Sequence, residues 1–209
     1  MEKRCIYVVV TRTETKIAKT IRFFGKMNYN HTSIGLDSDL KEMYAFARTQ
    51  YHTAFKGRLV HESLDRYTLN KNRLVPTEVF EIEVSDEQYE TIQKTITQVL
   101  KDPEYIYNLF SVISYPITGG FATPKSFHCT EFVIHLLQTI GYPLDKPAYQ
   151  YRPDDLANAL HPHLIFKGDL KDYMKCKDSD ESYFERFRLS MLTDNLFAVC
   201  KIFMRSYFS

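Results

Sequence analysis

No two cysteines in this chain lie at C-x-x-C spacing: the 4 that occur, at positions 5, 129, 176 and 200, are separated by long gaps. A structural zinc site of the usual thiolate kind is thereby excluded. The charge excess that marks a nucleic-acid binder is also missing, because 27 Lys and Arg stand against 26 Asp and Glu. The basic residues are interleaved with acids and form no phosphate-tracking stripe. No uncharged apolar run approaches the ~18 residues a membrane span needs. The first apolar run, Ile6 to Val10, lacks the length and small-residue cleavage site of a signal peptide. It is read as a strand, and the reducing cytoplasm, with every cysteine a thiol, is the expected compartment. Internal repeats and low-complexity tracts are likewise missing.

What remains is ordinary globular composition with one bias. Apolar residues make up 44% and charged residues 25% of the 209-residue chain. That is enough material for one full core. Tryptophan is absent, yet there are 15 Tyr and 15 Phe. Several of these, Tyr105, Tyr107, Phe110 and Tyr115, crowd one stretch before Cys129. They are candidates for an apolar groove, although such residues more often fill a core.

Strands are expected at Cys5 to Arg12, His31 to Leu36, Glu42 to Ala47, 58–63, 77–84 and Leu164 to Phe166. The turn residues Asp37-Ser38-Asp39 join the second and third into a hairpin. Thr13 to Lys26 carries Ile17, Ala18, Ile21 and Phe24 at helical spacing. Ser85 and Gln88 form a capping box for a helix that ends near Lys101. A second helical stretch is expected over 104–113. Pro116, Gly119, Gly120 and Pro124 then mark a loop, and a further helix runs from about Ser126 to Ile140. Arg152-Pro153-Asp154-Asp155 opens a short helix. Residues 167–182, Cys176 among them, read as a charged loop. Strands and helices do not alternate strictly, which points to an α+β fold.

Of the cysteines, only Cys129 has a setting that favours reactivity. It lies in the first turn of a helix whose apolar stripe is Phe132, Val133, Leu136, Leu137 and Ile140. Unpaired amides and the helix dipole there stabilise a thiolate. The amide of Cys129 is also placed to bind an oxyanion. Cys129 shares that stripe, however, and a buried inert thiol is the commoner outcome for a cysteine so placed. On the strand at 31–36, His31, Ser33 and Gly35 share one face and Thr32, Ile34 and Leu36 the other. The small side chains beyond His31 would admit a helix closely, bringing a thiol beside the imidazole. His128 adjoins Cys129, but neighbours on a helix diverge by about 100°. His161-x-His163 has no partner cluster, so neither a metal nor a cofactor is expected.

Two segments together resemble NlpC-type papain-fold peptidases. His31-Thr32-Ser33-Ile34-Gly35-Leu36 is similar to their His-Val-Gly/Ser-Ile strand. Tyr115-Pro116-Ile117-Thr118-Gly119-Gly120, followed by Phe127-His128-Cys129-Thr130-Glu131-Phe132-Val133, is similar to their Tyr-x-x-Gly-Gly and Asp-Cys-Ser-Gly-Phe-Val segments. The histidine precedes the cysteine here, the order of the circularly permuted branch, which includes lecithin:retinol acyltransferase-like enzymes. The resemblance implies a circularly permuted papain-like fold, its antiparallel sheet packed on the helix that carries Cys129. Residues 1–166 would form this domain and 167–209 an extension packed upon it. It further implies a cysteine peptidase or amidase, with Cys129 as nucleophile and His31 as base. A lipid-directed acyltransferase or thioesterase is the alternative, and a non-catalytic scaffold the rival class. The substrate would be a small peptide-like or lipid-like molecule. Glu42, Tyr44 and Glu62 are the candidates to orient His31, and Tyr115 to contact oxyanion or substrate. Residues 184–208, with Phe187, Met191, Leu192, Leu196, Val199, Phe203 and Phe208, would cover the core, pair with another subunit or rest on a membrane. Core cover is the expectation. The interspersed Arg186, Arg188, Asp194, Lys201 and Arg205 argue against insertion.

Overall fold

The structure, a computed structural model, describes residues 4–69, 71, 73–175 and 179–207. Cys176 and Phe208 lie outside the described residues. The chain forms an α+β fold around a six-stranded, wholly antiparallel sheet. In chain order the elements begin β1 (Arg4–Thr11), α1 (Lys16–Gly25), β2 (His31–Gly35), β3 (Met43–Arg48), β4 (Gly57–His61), α2 (Leu64–Thr68), β5 (Pro76–Val84) and α3 (Asp86–Lys101). They continue β6 (Ile106–Tyr107), α4 (Leu109–Thr118), β7 (Ser126–Phe127), α5 (Cys129–Thr139), α6 (Pro153–Ala159), β8 (Leu164–Asp169), α7 (Leu170–Tyr173) and α8 (Ser190–Tyr207). The sheet order is β4-β3-β2-β1-β5-β8.

β1 is buried on both sides because its alternate residues feed different cores. Ile6, Val8 and Val10 pack beneath α3, α5 and α6, against Ile92, Ile96, Phe132, Leu136 and Leu156. Tyr7 and Val9 face the opposite layer, with Tyr67 of α2, Val75, and Leu170 of α7. Covered faces of this kind explain why the strand reads as a near-continuous apolar run. The hairpin β2–β3 has Ile34 opposite Tyr44. Its turn is tied by the Asp37 carboxylate, which accepts from the amides of Asp39, Lys41 and Glu42 at 3.0, 3.1 and 2.6 Å. β8 spans the expected boundary at 166 and completes one edge of the sheet.

Three stretches depart from expectation. Residues 104–113 are not one helix: β6 pairs in parallel with β7, and only then does Asn108 cap α4 by accepting from the Ser111 amide at 3.0 Å. α4 runs on through Pro116, which falls in the last turn, and Gly119 (φ 71°) makes the left-handed stop. Within 167–182, β8 and α7 replace part of the expected loop, as Asp169 caps α7 by accepting from Lys171 at 3.3 Å. The helix of the Cys129 region begins at Cys129 itself, since Ser126 and Phe127 are drawn into β7.

Gly57 marks the tightest backbone approach in the sheet. A Cβ there would lie 2.4 Å from the Ala47 carbonyl oxygen and 2.7 Å from the Tyr107 Cβ. Neither can step aside, one being β3 backbone and the other rooted in β6. Gly57→Ala is therefore expected to destabilise the chain by about 1–3 kcal/mol, read as a lower urea midpoint at unchanged slope.

Candidate active site

Cys129 is the first residue of α5 and His31 the first residue of β2. Both sit at the starts of their elements, close enough for each to shift the other's pKa. The approach differs from the expected one. α5 lies on the Thr32/Ile34 face, where the Thr32 and Thr130 hydroxyls meet at 3.1 Å. The small-residue face is occupied instead by Tyr67, whose hydroxyl meets Ser33 Oγ at 2.7 Å, and by Leu40, which would meet a Cβ on Gly35. His31 stands at the strand's end, with the ring of Tyr67 from α2 5.7 Å from its own.

Of the candidate orienters, Glu62 is the one beside His31. Its Oε1 lies 2.8 Å from His31 Nε2. Glu62 stands between β4 and α2, with its amide donating to the Met43 carbonyl at 2.8 Å. Its other oxygen accepts from Arg66 Nε at 3.0 Å. Arg66 in turn donates to Asp180 at 2.8 Å and to the Arg48 carbonyl at 2.6 Å, with the Tyr183 ring 4.2 Å away. Glu62 and Arg66 are only 3% and 7% exposed. Glu42 and Tyr44 are joined to each other by a hydrogen bond instead. Tyr115 donates its hydroxyl to the Gln150 carbonyl at 2.9 Å, beside the Gly119–Gly120 turn.

Sequence reasoning missed α2 and with it Arg66. The signal was present: Ser63 stands at an N-cap position, and Glu62 and Arg66 have the i,i+4 spacing of a helical ion pair. It also set His128 aside by helical geometry that does not apply, because His128 is the N-cap, with extended backbone (φ −89°, ψ 170°). Its ring folds back near the sulfur. Its nitrogens also make backbone contacts. Nδ1 accepts from the Glu131 amide at 3.2 Å, and Nε2 lies 3.3 Å from the Tyr149 carbonyl, an acceptor only. Protonating Nδ1 would break the cap, so His128 is ill suited to be a base.

The electrostatics follow from these contacts. Burial works against a charged His31, but hydrogen bonds to Cys129 and Glu62 outweigh it and push His31 up to about 10. Burial likewise raises the Cys129 thiol, and hydrogen bonds from His128 and His31 hold it well below the usual thiol range instead. Glu62 is opposed by burial and held below its ordinary value by the Arg66 charge and by His31. The favoured state is thus a thiolate beside an imidazolium, backed by an ionised carboxylate and a guanidinium. Comparison with protein-family models and with curated proteins finds no match for this chain. The Cys129 side chain is buried, at 4% exposure.

A cavity of about 80 Å³ opens on the histidine side, lined by His31, Glu62, Arg66, Tyr67, Tyr107, Thr13 and Ile21 among others. Next to it, α1 and α4 enclose a groove of about 300 Å³ lined by Thr20, Ile21, Gly25, Val112, Ile113, Tyr115, Pro116 and Ile117. Ile21 borders both spaces.

Proposed function

We propose that this chain is a thiol hydrolase of the circularly permuted papain-like type, a cysteine peptidase or amidase working through an acyl-enzyme. The observation that carries the reading is the 2.8 Å contact of His31 Nε2 with Glu62, beside a Cys129 thiol that His31 helps to lower. The order His31 before Cys129, and the antiparallel sheet packed on α5, support the same assignment.

In this reading the Cys129 thiolate attacks a carbonyl carbon, and the carbonyl π electrons move to oxygen. The amides of Cys129 and Thr130, which have no acceptor within the helix, face that developing charge. The intermediate collapses, the C–N or C–O bond breaks, and the His31 imidazolium gives its proton to the leaving group. Neutral His31 then takes a proton from water, whose oxygen attacks the thioester and releases the acid and the thiolate. Turnover needs thiolate and imidazolium together. Activity is therefore expected to rise through the depressed pKa of Cys129 and to fall as pH passes about 10, where His31 loses its proton.

A second reading, a lipid-directed acyltransferase or thioesterase, is favoured by the groove between α1 and α4, which adjoins the histidine cavity at Ile21. One experiment addresses both. The chain is incubated with p-nitrophenyl acetate or p-nitrophenyl octanoate, and tryptic peptides are weighed. The expected result is an acyl mass on the Cys129 peptide, lost in Cys129→Ala. Faster labelling by the octanoate selects the lipid reading. No label from either ester would leave a non-catalytic scaffold.

A further inference from the structure

α8 is inside out. Its charged side chains turn toward the body of the protein: Asp194 meets Lys56 at 2.8 Å, Lys201 meets Glu104 at 3.1 Å, and Arg205 meets Glu104 at 2.9 Å. Arg205 also donates to the carbonyls of Pro124 and Lys125 at 3.1 and 3.0 Å. The Asn195 side chain accepts from the Phe55 amide at 2.8 Å. Among the described side chains of this helix, Met191 and Ile202 are the buried large apolar ones. The expected core cover is thus supplied by little of its stripe, because polar anchors fix the other face inward.

Most apolar side chains of the opposite face, with Leu189 just before the helix, are exposed, Phe203 while its ring also packs on Phe110 at 4.8 Å. Leu189 is 77% exposed, Leu192 57%, Leu196 64%, Phe197 76%, Phe203 50% and Met204 58%. Cys200 is exposed among them. On the helix, 192, 196, 200 and 203 form one row and 193, 197, 200 and 204 the next, so the face is continuous. Each side chain leaves roughly 100 Å² in water, and the face offers about 600–700 Å². That exceeds the ordinary largest patch of a monomer and approaches the about 800 Å² per partner of a stable interface.

We infer that this face is a homodimer interface, covered by α8 of a second copy of the chain. A patch without charge at its centre is self-complementary, which suits a two-fold contact in which the same surface meets itself. A membrane surface suits it less. Lipid-bound helices present Lys and Arg to the headgroups, whereas Lys201 and Arg205 are held in ion pairs on the body side. Two antiparallel copies crossing near Leu196 and Cys200 bring the two Cys200 thiols close together. The inference is independent of the acyl-transfer reading.

The test is sedimentation equilibrium of the full chain over a concentration series, with Leu196→Asp and Phe197→Asp beside it. The expected mass is twice the 24.6 kDa of one chain. Each aspartate is expected to weaken association at least about 100-fold, since a buried unpaired charge costs several kcal/mol. Both positions are mostly exposed, and circular dichroism checks that the monomer stays folded. Leu196→Gln serves if an aspartate variant does not. A short-arm bismaleimide is expected to join two copies in the wild type and not in Cys200→Ser. A monomer throughout overturns the proposal, as does a dimer that these substitutions leave intact. A monomer that floats with phosphatidylglycerol vesicles would overturn it in favour of a membrane.

Discussion

Replacing His31 with alanine is expected to move the midpoint of Cys129 alkylation by iodoacetamide upward, toward the ordinary thiol range. In the wild type the thiol is held well below its usual range by hydrogen bonds and by the charge on His31, against the opposing effect of burial. Without the His31 imidazole, only His128 still opposes burial, and the midpoint moves up toward the ordinary thiol range. Removing the base should also slow acyl transfer by about 10²–10⁴-fold. The comparison that decides the assignment is His128→Asn. Asparagine keeps the N-cap but takes away the His128 ring, which also lowers the thiol, so its midpoint should rise too, while acyl transfer, which does not use His128 as its base, is retained. A large shift in His128→Asn with none in His31→Ala would sink the Cys129–His31 pair. The same groups link the pair to stability. His31 is raised from 6.5 to about 10, so its contribution is complete below 6.5 and is lost as pH rises through about 10. Cys129 and Glu62 are lowered, so theirs is present above the ordinary thiol and carboxyl values and is lost as pH falls through the depressed ones.

Local chemistry was legible in the sequence where a few adjacent residues decide the outcome. Ser85 and Gln88 cap α3 reciprocally, as their spacing predicts, because both partners lie within one turn. Asp37 ties the β2–β3 turn for the same reason. The position of Cys129 at a helix start also followed from its local pattern. What alternation along β2 could not reveal was which layer each face meets. Ser33 and Gly35 look like room for α5, but Tyr67 from α2 and Leu40 from the hairpin take that space. Choosing Glu62 over Glu42 and Tyr44 required the end of β4 to be placed against β3, a pairing set by Tyr44 opposite His61. The orientation of α8 was hidden for a related reason. A stripe of apolar residues states that one face will be covered, while the ion pairs to Lys56 and Glu104 that fix its direction lie far away in sequence.

Arg66→Met should destabilise the chain by about 3–5 kcal/mol, the cost of leaving a buried charge without its partner. Glu62 would keep only His31 to balance it, at 3% exposure. The substitution also frees the Asp180 carboxylate and the Arg48 carbonyl, both of which accept from the guanidinium. Arg66→Lys should recover little of the loss, because one ammonium cannot serve three acceptors in the directions the planar fork does. Glu62→Gln is expected to cost less, as Arg66 then retains Asp180 and the amide keeps the shape of the site. Combining Arg66→Met with Glu62→Gln removes both buried charges together. The double variant should therefore be more stable than the sum of the single losses, by an interaction energy of about 1–3 kcal/mol. Urea unfolding at constant slope measures all of these. A loss below about 0.5 kcal/mol in Arg66→Met, the size of an ordinary surface exchange, would mean that Glu62 is neutral or hydrated in the folded chain. The carboxylate would then offer His31 no charge, and the imidazolium would lose the support that its raised pKa requires. Asp180 lies in the segment leading to α8, so the same ion pairs that hold Glu62 also fasten the C-terminal residues to the site.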